Sequence, residues 1–165
     1  MSKLLSKLFL LSLFTTFSVP AEQIYGVAGT HLELKNSYGR VNAFSGLAGY
    51  KLGHRNFTLT PQFRYIKGNK TTVKSGRAEA EFDDAAIFGF KAQYTFDLGL
   101  YVFSTPSYGV VNYFDGYWVS REWREEGAGI NLGFGYEFYD LISTEIYYDE
   151  FSEFKALNAG ISIQF

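Results

Sequence analysis

The chain has 165 residues with a formal net charge of -2, and 47% of them are hydrophobic, 19% aromatic and 19% charged. That length fits one domain with a real core; the low charge excludes disorder, and a mean hydropathy of -0.08 excludes a bundle of transmembrane helices. The absence of Cys excludes a disulfide scaffold, a Cys-based zinc site, a thiol nucleophile and a lipid-bearing Cys, while 17 Gly beside 17 Phe and 13 Tyr point to β-structure.

Residues 1–21, MSKLLSKLFLLSLFTTFSVPA, join Lys3 and Lys7 to an apolar run over 8–17 and small residues at Val19-Pro20-Ala21. This is the three-part pattern of a cleaved signal peptide, and its apolar run is too short to span a bilayer. Cleavage after Ala21 leaves 22–165 as one domain, with 13 basic against 17 acidic residues. A mildly acidic exported chain is a poor nucleic-acid binder.

Period-two alternation then runs through the chain, and a period of two means strands with two distinct faces. Over 23–34, Ile24, Ala28, Thr30, Leu32 and Leu34 alternate with Gln23, Tyr25, Gly29, His31 and Glu33. A Gly-rich strand follows over 41–52, with Phe44, Ala48, Tyr50 and Leu52 as its apolar face. Phe57, Leu59, Pro61, Phe63 and Tyr65 alternate with Thr58, Thr60, Gln62 and Arg64. In 86–96, Phe88, Phe90, Ala92, Tyr94 and Phe96 alternate with Gly89, Lys91, Gln93 and Thr95. Both faces of 98–111 are apolar, so its orientation stays open. Pro61 and Pro106 offer no ladder donor and are awkward inside strands. The alternation is clean in 128–138 (Ile130, Leu132, Phe134, Tyr136 and Phe138 against Asn131, three glycines and Glu137), and in 142–149 (Ile142, Thr144, Ile146 and Tyr148 against Ser143, Glu145, Tyr147 and Asp149). It is strictest in 156–165, where Leu157, Ala159, Ile161, Ile163 and Phe165 oppose Asn158, Gly160, Ser162 and Gln164.

These make eight strands. Short connections fall at 53–56, around Asp97 and around Asp140, with longer ones at 35–40, 67–77, 112–126 and 149–154. Strict alternation of long and short is the mark of an up-and-down meander with both termini on one side. The polar face is rich in Gly, Ser, Thr, Asn and Gln with isolated charges, unlike the dense Lys/Glu mixture of a water-facing surface. It suits the narrow lumen of an eight-stranded barrel, and rings near the strand ends suit aromatic girdles. The expected fold is all-β: an eight-stranded antiparallel up-and-down transmembrane β-barrel.

The signal peptide, the eight strands and the terminal alternation ending in Phe165 resemble the small Gram-negative outer-membrane β-barrels, the OmpX/Ail-like proteins and the OmpA transmembrane domain. The resemblance covers 22–165, and Leu157, Ile161, Ile163 and Phe165 match that family's C-terminal insertion signal, read by the barrel-assembly machinery. It implies an outer-membrane location with periplasmic termini, and contact with outer-membrane lipid and lipopolysaccharide. It further implies a non-enzymatic role in envelope integrity, with surface loops for adhesion or host interaction and a monomeric state.

Chemistry is sparse. A lipid A deacylase needs a Ser/His pair with an acidic partner; the two histidines, His31 and His54, have no such serine nearby, and His31 reads as a satisfied lumen or rim residue. Arg64, Lys91, Glu137 and Glu145, with Glu33 beside them, face the lumen on parity. Buried charges must pair, so these form an ion-pair plug or, in the competing reading, line a small channel. The loop 67–77 carries Lys67, Lys70, Lys74 and Arg77, which suit lipopolysaccharide phosphate or an anionic host polymer if they are more than a solvated loop. The loop 112–126 gathers Tyr117, Trp118, Arg121, Trp123 and Arg124, and aromatics beside Arg make binding hot spots. The competing view is that the flanking strands simply extend there. No phosphate cradle or calcium loop is present, so no cofactor or metal is expected.

Overall fold

The structure is a computed structural model describing residues 21–34, 39–54, 56–68, 73–75, 78–115, 121–138 and 141–165. At 21, 39, 54, 73–75, 78–81, 114–115 and 121–123 it describes backbone only. The expected signal peptide lies outside the described residues, apart from Ala21.

The strands are β1 (Ala21–Leu34), β2 (Gly39–His54), β3 (Phe57–Gly68), β4 (Val73–Ser75), β5 (Ala78–Thr95), β6 (Leu100–Asp115), β7 (Arg121–Phe138), β8 (Ile142–Phe151) and β9 (Phe154–Gln164). All pairings are antiparallel between neighbours in sequence, and β1 with β9 and β3 with β5 complete the circuit. The short β4 pairs only with the start of β5, so the barrel is closed by eight strands in up-and-down order. Closure leaves no open edge within the wall and satisfies the backbone in hydrocarbon.

The wall tolerates both prolines where its ladders lapse. Pairing of β2 with β3 skips from Gly49–Gln62 to Leu52–Leu59 beside Pro61. Pairing of β5 with β6 skips from Gly89–Ser107 to Ala92–Ser104 beside Pro106. A residue with no N–H costs least where no ladder bond is made.

One end of the barrel carries the turns after β2, β5 and β7 together with both described termini; it is called the turn end. The other, the loop end, departs from expectation in three places. The segment 149–154 is no long loop, since β8 ends at Phe151 and β9 starts at Phe154. The segment 112–126 is mostly ladder, because β6 and β7 stay paired from Gly109–Gly127 to Asp115–Arg121. The 67–77 segment contains the end of β3 and all of β4.

Faces follow the predicted parity over most of the wall. Phe57, Phe63, Phe88, Phe90, Leu132, Phe134, Leu157 and Ile161 are exposed outward, while Thr60, Gln62, Arg64, Lys91, Asn131, Ser143 and Asn158 are buried in the lumen. In β6 it is Leu100, Val102 and Tyr108 that point out, and Tyr101, Phe103 and Thr105 that point in. Outward rings gather at Tyr50, Phe57, Tyr94, Phe96, Tyr136, Phe138 and Phe165 near the turn end, and at Tyr65, Tyr108 and Tyr148 toward the other. From Phe57 to Tyr65 the strand advances about 27 Å, or about 20 Å of height at a tilt of about 40°. That is an apolar band bracketed by rings.

β1 corrects the expected assignment. Ile24, Ala28, Thr30, Leu32 and Leu34 are buried inside, while Tyr25 and Val27 are exposed outside with His31 and Glu33. Both faces of this strand are largely apolar, so hydrophobicity alone chose the wrong one.

Candidate functional site

Glycine on the lumen face of β7 makes room for rings from its neighbours. A Cβ at Gly135 would strike the Tyr101 ring, and one at Gly133 would strike the Phe103 ring and Tyr147. Tyr101, Phe103 and Tyr147 form a buried aromatic cluster there. The Lys91 ammonium lies 4.2 Å from the Phe103 ring centre and 5.1 Å from that of Tyr101, a cation–π seat.

Three ion pairs are stacked along the lumen. At the turn end Lys51 Nζ donates to Glu137 Oε1 and Gln164 Oε1, both at 2.8 Å, and Gln164 Nε2 donates to Glu137 at 2.6 Å. In the middle Lys91 pairs with Glu145, which also accepts from the Tyr101 hydroxyl at 2.8 Å. Nearer the loop end Arg64 Nη1 donates to Asp149 Oδ2 at 2.7 Å and to the Tyr147 hydroxyl at 3.3 Å. Asn158 donates to Asp149 at 2.9 Å and accepts from Thr30 at 2.8 Å. The four expected lumen charges are therefore inside, each bonded across the barrel, and sequence reasoning missed two partners. Lys51 was legible from Tyr50 and Leu52 on either side; Asp149 was legible from the parity of Ser143, Glu145 and Tyr147. The cations stand on β2, β3 and β5 and the anions on β7 and β8, so each pair is a strut between opposite walls. Between the struts, cavities of about 30 and 10 Å³ lie among the described lumen residues.

Beyond Arg64 the pattern turns inside out. Leu32, Leu34, Val41, Ile66, Phe82, Ile87, Val111, Tyr113, Phe151 and Phe154 join one buried apolar cluster that fills the mouth at the loop end. Phe154 stacks on Phe151 with ring centres 5.2 Å apart and meets Phe82 edge-on at 6.2 Å. The outer face at this level is polar. A bulge between Phe82 and Asp84 turns Phe82 inward and leaves Asp83 and Asp84 outward. Asp84 accepts from Tyr65 at 2.9 Å and from Asn112 at 2.6 Å, and Lys67 pairs with Asp83. The Asp83 hydrogen bond holds the Lys67 ammonium above the ordinary lysine range.

Other predicted site residues fall here or out of view. Glu33 is not a lumen charge: it faces outward 3.9 Å from Arg40. His31 is likewise outside, with Nδ1 2.8 Å from Asn42 Oδ1, an amide rather than a carboxylate. Arg124 lies outward beside Glu126 at 3.2 Å. Lys155 lies beside Glu150 at 3.4 Å, and that carboxylate raises the lysine pKa. Lys74, Arg121 and Trp123 sit on β4 and β7 with backbone only described. Lys70, Arg77, Tyr117 and Trp118 lie outside the described residues.

An apolar outer band, girdles of rings, a closed up-and-down wall and a polar side-chain-filled lumen define an eight-stranded outer-membrane-type β-barrel. Solved structures carry the same fold. Neisserial surface protein A aligns at 12% identity and a TM-score of 0.56, over 90% of this chain and 100% of that one. Ail of Yersinia pestis, in complex with the heparin analogue sucrose octasulfate, aligns at 9% identity and 0.57, over 90% of this chain and 100% of that one. The N-terminal β-barrel domain of Pseudomonas aeruginosa OprF aligns at 12% identity and 0.57, over 88% of this chain and 100% of that one. No protein-family model and no curated protein sequence matches the chain.

Proposed function

We propose that the protein is a non-enzymatic, non-conducting outer-membrane barrel that strengthens the envelope and presents its loop-end rim to a protein partner. The rim carries this reading. It has its own apolar core, a polar exterior, and a β6–β7 hairpin that continues past the last β8 pair at Gly129–Phe151. Among the described residues, β7 has no strand partner on its β8 side from Arg121 to Glu126, so its backbone groups are offered to an extended segment of the partner. With periplasmic termini this rim faces outward from the cell.

A polyanion is a poorer fit. The described outward cations Arg40, Lys67, Arg124 and Lys155 each have a carboxylate within 4.0 Å. The three lumen struts and the apolar mouth favour a plug over a channel, and His31, bonded to an amide on the outer wall, favours a barrel without acyl-transfer chemistry.

Replacing 113–123 by a tight turn tests the reading on intact cells. Binding to host-matrix proteins should fall to the level of cells lacking the protein, while detergent resistance of the envelope is kept. Unchanged binding removes the rim as the contact surface. Reproducible conductance steps in planar bilayers, or an altered lipid A mass spectrum on overexpression, replaces the reading by the channel or the enzyme.

A further inference from the structure

The polar side chains of the lumen are not all satisfied by the struts. Among the described residues, Thr105 Oγ1 and Asn131 Oδ1 are buried without a hydrogen-bond partner, in residues only 1% and 4% exposed. An unbonded buried polar atom costs free energy, so such atoms are normally met by protein or by ordered water. Thr105 and Asn131 are ladder partners on β6 and β7, and both line the cavity of about 10 Å³ beside Arg64. Gln62, Ile87, Gly89 and Ser107 complete its lining.

This cavity stands where the wall is thinnest in bonds. The β5–β6 ladder lapses between Gly89–Ser107 and Ala92–Ser104, so Thr105 and Pro106 fall in the gap. Gly89, at the edge of the gap, keeps the space open: a Cβ there would lie 2.8 Å from Thr105 Cγ2. The volume suits about one water-sized sphere and nothing larger.

The lining selects what fills it. Asn131 Oδ1 calls for a donor, which excludes a halide or any other anion. Arg64 brings a full positive charge to the space, and that excludes a cation. Water both donates and accepts. Its protons suit Asn131 Oδ1 and Ser107 Oγ, whose own proton goes to the Gly129 carbonyl at 3.3 Å. Its lone pairs suit the Thr105 hydroxyl and Arg64, which bonds through Nη1 alone and keeps donors on Nε and Nη2. A buried water takes two to four such partners.

We propose that the lumen holds one fixed water here, bridging Thr105 and Asn131 and tying both to Arg64. The site fastens β6 to the Arg64 strut at the level where its ladder to β5 lapses. The break beside Pro106 is thereby closed from the inside.

The full-length protein in phospholipid vesicles provides the test. Thr105→Val keeps the side chain's shape and removes its hydroxyl. Removing a dry, unbonded hydroxyl leaves stability unchanged or raised, whereas removing one that holds a water loses a hydrogen bond. In urea unfolding, Thr105→Val and Asn131→Leu should each raise the unfolding equilibrium constant roughly fivefold. The double variant should lose little more than either single one, because both substitutions remove the same bridge. Magic-angle-spinning NMR should show magnetisation passing from water to the Asn131 side-chain amide in the wild type and in Thr105→Ser. Thr105→Val should lose that transfer. Heat-modifiable migration checks that each variant folds, and the wild-type spectrum decides the matter if Thr105→Val does not. Stability of Thr105→Val equal to or above wild type overturns the proposal. So do additive losses in the double variant, or a wild-type Asn131 amide without contact to water.

Discussion

The apolar band and the loop-end rim are built from the same eight strands by opposite rules. In β9 the outward residues run Ile161, Ala159, Leu157 and then Lys155, while the inward ones run Ser162, Gly160, Asn158 and then Ala156 and Phe154. β3 does the same, with Phe63 and Tyr65 giving way to Lys67 outside, and Gln62 and Arg64 to Ile66 inside. In these two strands the ladder runs on unbroken across the boundary, and it is the solvent that changes. Where lipid covers the wall, the interior is polar and struts hold it open; where water covers it, a hydrophobic core holds it shut. Position on the apolar–polar boundary therefore predicts the effect of a substitution better than the side chain's identity does.

The sharpest contrast lies inside. Asp149→Ala leaves Arg64 buried without its carboxylate and should cost about 3–5 kcal/mol in urea unfolding from lipid vesicles. A loss under about 1 kcal/mol would mean that the struts carry no stability. Outside, an arginine placed at Leu132 in the band should cost about 2–4 kcal/mol. Glu126→Arg, the next outward position past Ala128 on the same strand, should stay within about 0.5 kcal/mol in the same measurement. Equal costs at the two sites would erase the boundary between them. Gly135→Ala pushes a methyl group into the Tyr101 ring and should cost about 1–3 kcal/mol, with altered near-ultraviolet circular dichroism from the displaced ring. The smallest effect belongs to the rim surface. The lysine pKa of Lys67 is raised on folding, so its contribution is complete below the unfolded lysine value of about 10.4 and lost as pH rises through the folded one. Lys67→Met should remove that alkaline decline while costing under about 1 kcal/mol at neutral pH, because the pair is half exposed.

Much of this was written in the periodicity. Parity alone placed Arg64, Lys91, Glu137 and Glu145 inside, and Leu157, Ile161, Ile163 and Phe165 outside. It could not pair the charges, since Arg64 and Asp149 meet only when β3 and β8 are carried to opposite sides of a closed wall. It also failed wherever the boundary between the two solvents crossed a strand. Leu32 and Leu34 belong to the rim core, and averaging them with the rest of β1 turned that strand over and took His31 and Glu33 with it. The extended β6–β7 ladder was hidden for a related reason: Trp123, Arg124, Glu125 and Glu126 show no apolar alternation, because in water the outward half of a strand is free to be charged.

The division of lumen charge bears on assembly. Among the described residues, the half of the chain up to β5 places only cations inside (Lys51, Arg64 and Lys91), and the half from β7 onward only anions (Glu137, Glu145 and Asp149). Neither half can neutralise itself, so an unclosed sheet entering the bilayer exposes a row of like charges to hydrocarbon. Joining β1 to β9 relieves all three at once, which makes ring closure and entry into the membrane a single cooperative event instead of two successive ones.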